Sequence, residues 1–318
     1  MTTGGSSAGA GAATAAGLGP LHQGSDGAGS IRIPSGFCGI FGLKPSYGRV
    51  PMWPISNNDS ASHMGPMTRT VADAALMLSI MAGPDDWDRT SLEAAPDDYV
   101  GKLNLGITGL KVAFSPDLGG FPVDAEVARV VAHAVSAFTD LGCVVEEVRP
   151  GFADSHDLIR CLWSAHEAGN YAQYLPRWRD RMDPGLVACI EDGLQYSMVD
   201  YVEARAQKLV YCDTVRPLFE KYDLLLTPTL SVAAFPVSRL NPEHWSQHVW
   251  DWIGWASFSY PFNFTGQPAA SVPAGFTPAG LPVGLQIVGR RFADLTVLQA
   301  SAAFEAARPW AQRRPPVD

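Results

Sequence analysis

The stretch between residues 110 and 148 constrains this chain most, because it reads as strand, helix, strand. "LKVAFS" (110–115) is a short strand, and "CVVEEV" (143–148) is another. Between them "DAEVARVVAHAVSAFTDLG" repeats apolar residues at helical spacing, from about Asp124 to Leu141. A strand, crossover helix and strand make a βαβ unit, which belongs to a parallel sheet with helices packed on it. The chain is thereby directed to an α/β fold.

Other segments extend that reading. "DLLLTP" (223–228) is a buried strand ended by proline, and "PAASVPAGF" and "LPVGLQIVG" are two more strands. In "TRTVADAALMLSIMAG", Thr70 and Asp73 predict a capping box and Gly83 a stop. A short helix is expected after the first serines, around 13–19. A helical middle spans about 155–221, its clearest member opening on Ser197 and Asp200, and "ADLTVLQASAAFEAA" closes the chain as a helix. With no internal repeat and no linker, residues 1–318 form one α/β domain with a mixed central sheet flanked by helices.

Bulk properties exclude several function classes. Of 318 residues, 47% are hydrophobic and 17% charged, so the chain is globular and can bury a large core. A dispersed net charge of −9 argues against nucleic acid or an anionic membrane as partner. No apolar run reaches the length that spans a bilayer, and no signal-peptide pattern opens the chain. The five cysteines, at 38, 143, 161, 189 and 212, form no CxxC pair, so neither a zinc site nor a disulfide framework is expected. These features predict a reduced, cytoplasmic protein without metal.

Residues 4–30 need a closer look. Composition alone reads them as a Gly/Ser linker, yet the apolar, β-favouring "SIRIPSGFCGIFGLKP" follows directly. "GSDGAGS" (24–30) can turn successive backbone N–H groups toward one point, a concavity suited to an anion. No lysine follows in the Walker pattern, so a P-loop is excluded. Gly5–Gly9 matches GxSxG with Ser7 central, but a nucleophile elbow needs a strand before it and only four residues precede the match. A Ser-His-Asp hydrolase using Ser7 with His244 or His248 is therefore the weaker alternative.

"GGSSAGAGAATAAG" and "GSDGAGSIRIPSGFCGIFGLKPSYGRVP" resemble the amidase signature family. "GPMTRTVADAALML", "YDLLLTPTL", "FNFTGQPAASVPAGF" and "GLPVGLQIVGRRFADLTVLQ" agree, so the resemblance runs from residue 4 to about 308. It implies the family's α/β/α sandwich, with the catalytic signature region inside residues 1–50. It also implies amide hydrolysis by a Ser–cis-Ser–Lys mechanism, with no cofactor. Ser30 matches the nucleophile, and Ser6, joined to Gly5 by a cis peptide bond, matches the bridging serine. The N–H groups of Gly27, Ala28, Gly29 and Ser30 would form the oxyanion hole. Ser7, Asp26 and Arg32 would support the loop, the last two as a charge-assisted pair. The family usually has glycine at position 28, and alanine restricts positive φ there.

The resemblance also implies an absence. The family's catalytic lysine lies upstream of the first serine, and the lysines here, at 44, 102, 111, 208 and 221, do not match that block. Lys44 falls in a structural block. The chain thus resembles an N-terminally truncated member, with exposed apolar surface, open sheet edges and impaired activity expected. A non-catalytic protein, or a subunit completed by another chain, is the alternative. The expected partner is a small amide; a homodimer is compatible with the sequence, and a role in ammonia transfer stays open. The aromatic stretch 245–262 could line an acyl pocket or be core.

Overall fold

The structure is a computed structural model that describes residues 1–56, 60–152 and 155–316. Its strands are β1 (Leu21–Asp26), β2 (Phe41–Lys44), β3 (His63–Thr68), β4 (Lys111–Phe114), β5 (Val144–Glu147), β6 (Leu224–Pro228), β7 (Ala269–Phe276) and β8 (Pro282–Gly289). They form one sheet in the order β1-β3-β2-β7-β8-β6-β4-β5. The helices are α1 (Ala8–Ala16), α2 (Arg32–Cys38), α3 (Val71–Met81), α4 (Ala125–Asp140) and α5 (His156–Tyr171). Then come α6 (Leu175–Trp178), α7 (Pro184–Gly193), α8 (Met198–Lys221), α9 (Pro261–Phe264) and α10 (Asp294–Ala307).

The βαβ unit is present: β4 and β5 pair in parallel across α4, and β4 also pairs in parallel with β6. Every other pairing is antiparallel, so the sheet is mixed. Alternation along the strands divides the core between two faces. Leu224 and Leu226 pack with Val131, Phe138 and Phe304 from α4 and α10. Leu225 instead joins Leu162, Tyr211 and Phe258 on the other face. Helices therefore cover both faces, giving an α/β sandwich.

Three strands differ from the sequence reading, and each difference has a cause. β1 and β3 read "LHQGSD" and "HMGPMT", with glycine or proline inside and little β-branched character. They exist because they pair antiparallel over six residues, Leu21 opposite Thr68 through Asp26 opposite His63. The apolar segment after Ser30 starts as helix α2 and becomes strand only at Phe41. The first helix begins at Ala8, earlier than expected, and ends at Gly17, which takes a left-handed conformation.

Capping follows the sequence closely. Thr70 accepts from the Asp73 N–H at 3.2 Å, although its hydroxyl meets the Asp73 carboxylate where a reciprocal backbone bond was expected. At the start of α8 the capping box is complete. Replacing Ser197 by alanine should cost about 1 kcal/mol, read as a lower urea midpoint with an unchanged slope.

Some apolar surface lies open. Met198, Val199, Val202, Leu209 and Val210 of α8 are exposed, and β1 and β5 are edge strands. Among the described residues no helix is long and apolar enough to cross a membrane.

Candidate active site

The site is built where the chain's first residues meet the turn between β1 and α2. The Thr2 N–H donates to the Phe235 carbonyl at 2.7 Å, and the Ser7 N–H donates to the Ser30 carbonyl at 3.2 Å. These two bonds hold Ser6 beside Ser30. The Gly5–Ser6 peptide is cis. Gly4 has φ of +71°, and a Cβ there would come within 2.6 Å of Ile33, so only glycine fits. Ser6 and Ser30 both line a cleft of about 470 Å³. Neither hydroxyl bonds another described residue, which leaves both available to the cleft.

Asp26 organises the turn under Ser30. Its Oδ1 accepts from the Gly29 N–H at 2.7 Å, and its Oδ2 accepts from the N–H groups of Ile31 and Arg32 at 3.2 and 3.4 Å. The Arg32 guanidinium closes a fork on the same carboxylate, with Nε and Nη2 each at 2.9 Å. Its remaining hydrogens go to the Asn263 Oδ1, the Ser259 carbonyl and the Gln286 Oε1, at 2.6, 2.7 and 2.8 Å. All five donors of the guanidinium are used, as full burial requires. Both partners have no exposed surface. Burial by itself raises the Asp26 pKa, but Arg32, Lys44 and Asn263 outweigh it and hold the carboxyl well below the usual carboxylate range.

The oxyanion candidates divide by what their N–H groups do. Gly29 spends its N–H on Asp26, which corrects the expectation that all four donors face substrate. The N–H groups of Gly27, Ala28 and Ser30 donate to no other described residue. For Ala28, which is fully buried, such an unpaired donor is uncommon. Ala28 also avoids positive φ, so its methyl group is tolerated. Gly29, with φ of +121°, sits where a Cβ would strike the Ser259 hydroxyl at 2.5 Å. Ser259 in turn donates to the Ala28 carbonyl at 2.6 Å and braces the turn.

Ser7 takes a different place. Its hydroxyl donates to the Ser25 carbonyl at 3.2 Å and accepts from the Ser25 N–H at 3.1 Å, tying α1 to β1. Among the described residues no strand precedes it. His244 meets Asp124 at 2.9 Å, and the His248 Nδ1 accepts from the backbone N–H groups of Trp250 and Asp251, so neither reaches Ser7. Lys44 is buried in β2, with its ammonium on the carbonyls of Gln267 and Pro45. Burial and the Arg32 charge push its pKa well below the usual lysine range. No lysine is among the described residues lining the cleft.

Sequence reasoning missed several residues. Asn263 and Gln286 complete the Asp26–Arg32 network; their signal was a polar residue inside an apolar run. Trp163, Glu167 and Tyr171 line the cleft at successive spacings of four along α5, a helix-face pattern legible only once the cleft is known. Trp252 and Trp255 come from the aromatic stretch. The rings of Trp163 and Trp252 meet edge to face at 5.4 Å, and Trp255 follows at 6.2 Å. Phe258, Tyr260 and Phe262 of the same stretch are core.

Comparison with known proteins agrees with this fold. The family model described as Amidase matches residues 1–298. An acylamidase of Rhodococcus erythropolis is 42% identical over 99% of the chain and 67% of its own length. One component of the glutamyl-tRNA(Gln) amidotransferase of Moorella thermoacetica is 35% identical, over 98% of the chain and 68% of its own length. The crystal structure of a bacterial aryl acylamidase of the amidase signature family superposes with a TM-score of 0.87 at 34% identity, covering 98% of this chain and 66% of that one. A 6-aminohexanoate cyclic dimer hydrolase superposes at 0.89 with 28% identity, covering 99% and 70%. The chain spans about two thirds of the length of these relatives. By family model, sequence identity and fold alike, it belongs to the amidase signature family.

Proposed function

We propose that this chain carries the acyl-transfer centre of a carboxylic amide hydrolase, with Ser30 as nucleophile and Ser6 as proton relay. The observation that carries the reading is the juxtaposition of Ser6 and Ser30 on one cleft, at the end of a turn whose Gly27, Ala28 and Ser30 N–H groups have no partner among the described residues. Ser30 Oγ attacks the amide carbon as Ser6 takes its proton. The carbonyl oxygen gains negative charge, and the N–H groups of Gly27, Ala28 and Ser30 stabilise it. Ser6 delivers a proton to the leaving amine, and water then hydrolyses the acyl-Ser30 ester. Asp26 and Arg32 act through the backbone they hold.

Ser6 itself needs a base, and no lysine is among the described residues lining the cleft. The reading therefore includes a lysine supplied by a segment outside this chain, without which turnover is impaired. The aromatic wall of Trp163, Trp252 and Trp255 and the likeness to an aryl acylamidase favour an amide with an aromatic or bulky apolar group. A fluorophosphonate probe followed by peptide mapping tests the nucleophile. With a lysine-bearing segment supplied, modification is expected at Ser30 and lost in Ser30→Ala; modification at Ser7 instead would overturn the assignment.

A further inference from the structure

Glu167 stands in the cleft with no ion pair or hydrogen bond to any described residue. It projects from α5 between Trp163 and Tyr171, which line the same cleft one turn to either side. A second cavity of about 230 Å³ adjoins the first, and Trp163, Glu167, Leu240 and Trp252 border both. Glu167 is thus on the shared wall, a half-buried carboxylate among indole and phenol rings. Half-burying an anion without a partner costs free energy that no contact among the described residues offsets. Burial raises its pKa, and no cation among the described residues opposes that rise.

The other charged or titratable groups bordering the two cavities are Tyr171, Asp183, Cys189 and Arg239. Arg239 faces Glu243 at 3.4 Å. The Asp183 carboxylate caps α7 by accepting from the Leu186 N–H at 3.0 Å. The Cys189 thiol is pushed up to about 12 by burial and by Glu167, so it stays neutral. An anion flanked by aromatic faces is complementary to an organic cation, which gains from the carboxylate and the rings together.

We propose that Glu167, with Trp163 and Trp252, selects amide substrates that carry an ammonium group. The proposal rests on this cleft being the substrate site and adds the substrate's charge to it. The ammonium lies on the Glu167 wall, while the amide carbonyl faces Ser30. Glu167 is a specificity residue that takes no part in bond cleavage.

Binding tests this without requiring turnover. Isothermal titration of the full chain with 2-phenylethylammonium and with 2-phenylethanol, two ligands of nearly the same shape, isolates the charge. The cation is expected to bind about tenfold more tightly. Glu167→Gln, isosteric and half-exposed, should remove most of that advantage by weakening the cation alone, leaving the smaller share that the rings supply. In the unaltered chain, the cation's advantage should fall as pH drops through the raised Glu167 pKa, while the alcohol's affinity stays flat. Equal affinities in the unaltered chain, or a cation preference undiminished in Glu167→Gln, would overturn the proposal. A preserved preference in a chain whose Ser30 resists the fluorophosphonate even with a lysine-bearing segment supplied would overturn the acyl-enzyme reading and leave the cation site standing.

Discussion

Replacing Arg32 by methionine is expected to destabilise the fold by about 3–5 kcal/mol, the usual cost of breaking a buried ion pair from one side. The reason is the number of groups that lose a partner. The Asp26 carboxylate, the Asn263 and Gln286 side-chain oxygens and the Ser259 carbonyl all face Arg32 inside the protein, where water cannot replace it. The loss should show as a lower urea midpoint, and as disordering of the turn that carries Ser30, because Asp26 also holds the N–H groups of Gly29 and Ile31. A shift smaller than about 1 kcal/mol, the range of exposed pairs, would contradict this account.

Acid should produce a related effect. The folded-state pKa of Asp26 is depressed, so its contribution to stability is fully present above the usual carboxylate value of about 4 and is lost as pH falls below it. Asp26→Asn should flatten that part of the stability profile. It should also lower stability at neutral pH, since the Arg32 charge then lies buried without its counter-charge.

Supplying a lysine-bearing N-terminal segment in trans is expected to raise amide turnover by about 10²–10⁴-fold, the usual range for a positioned general base. On the proposed mechanism the chain alone should hydrolyse an aryl amide slowly, because no lysine is among the described residues lining the cleft. Ser30→Ala should abolish the restored activity, and Ser6→Ala should reduce it with little change in binding. Ready turnover by the 318-residue chain alone, lost in Ser30→Ala, would show that the base lies within it. Continued inactivity with the segment bound would favour the non-catalytic reading.

Local patterns carried much of the fold. The βαβ unit, the capped helices α3 and α8, and the apolar strands β6, β7 and β8 were legible, because their periodicity reflects burial that every residue in them shares. β1 and β3 were not, because their stability comes from pairing between segments some forty residues apart. Within the site, the two serines and the Asp26–Arg32 pair were visible through the resemblance. The Gly29 N–H was misassigned because its partner depends on how the turn is wound.

By itself, the sequence determined an α/β fold and placed a small-residue loop where backbone must come close to other groups. Those properties are local: positive φ at positions 4 and 29 favours glycine whatever else surrounds the loop. Only the tertiary structure decided what the loop faces. It set Ser6 beside Ser30, buried Arg32 on Asp26, and opened a cleft walled by rings from α5 and the 252–255 segment. It also left Glu167 on that wall without a counter-charge among the described residues. Proximity of this kind follows from packing among distant segments, and no pattern within any one of them encodes it.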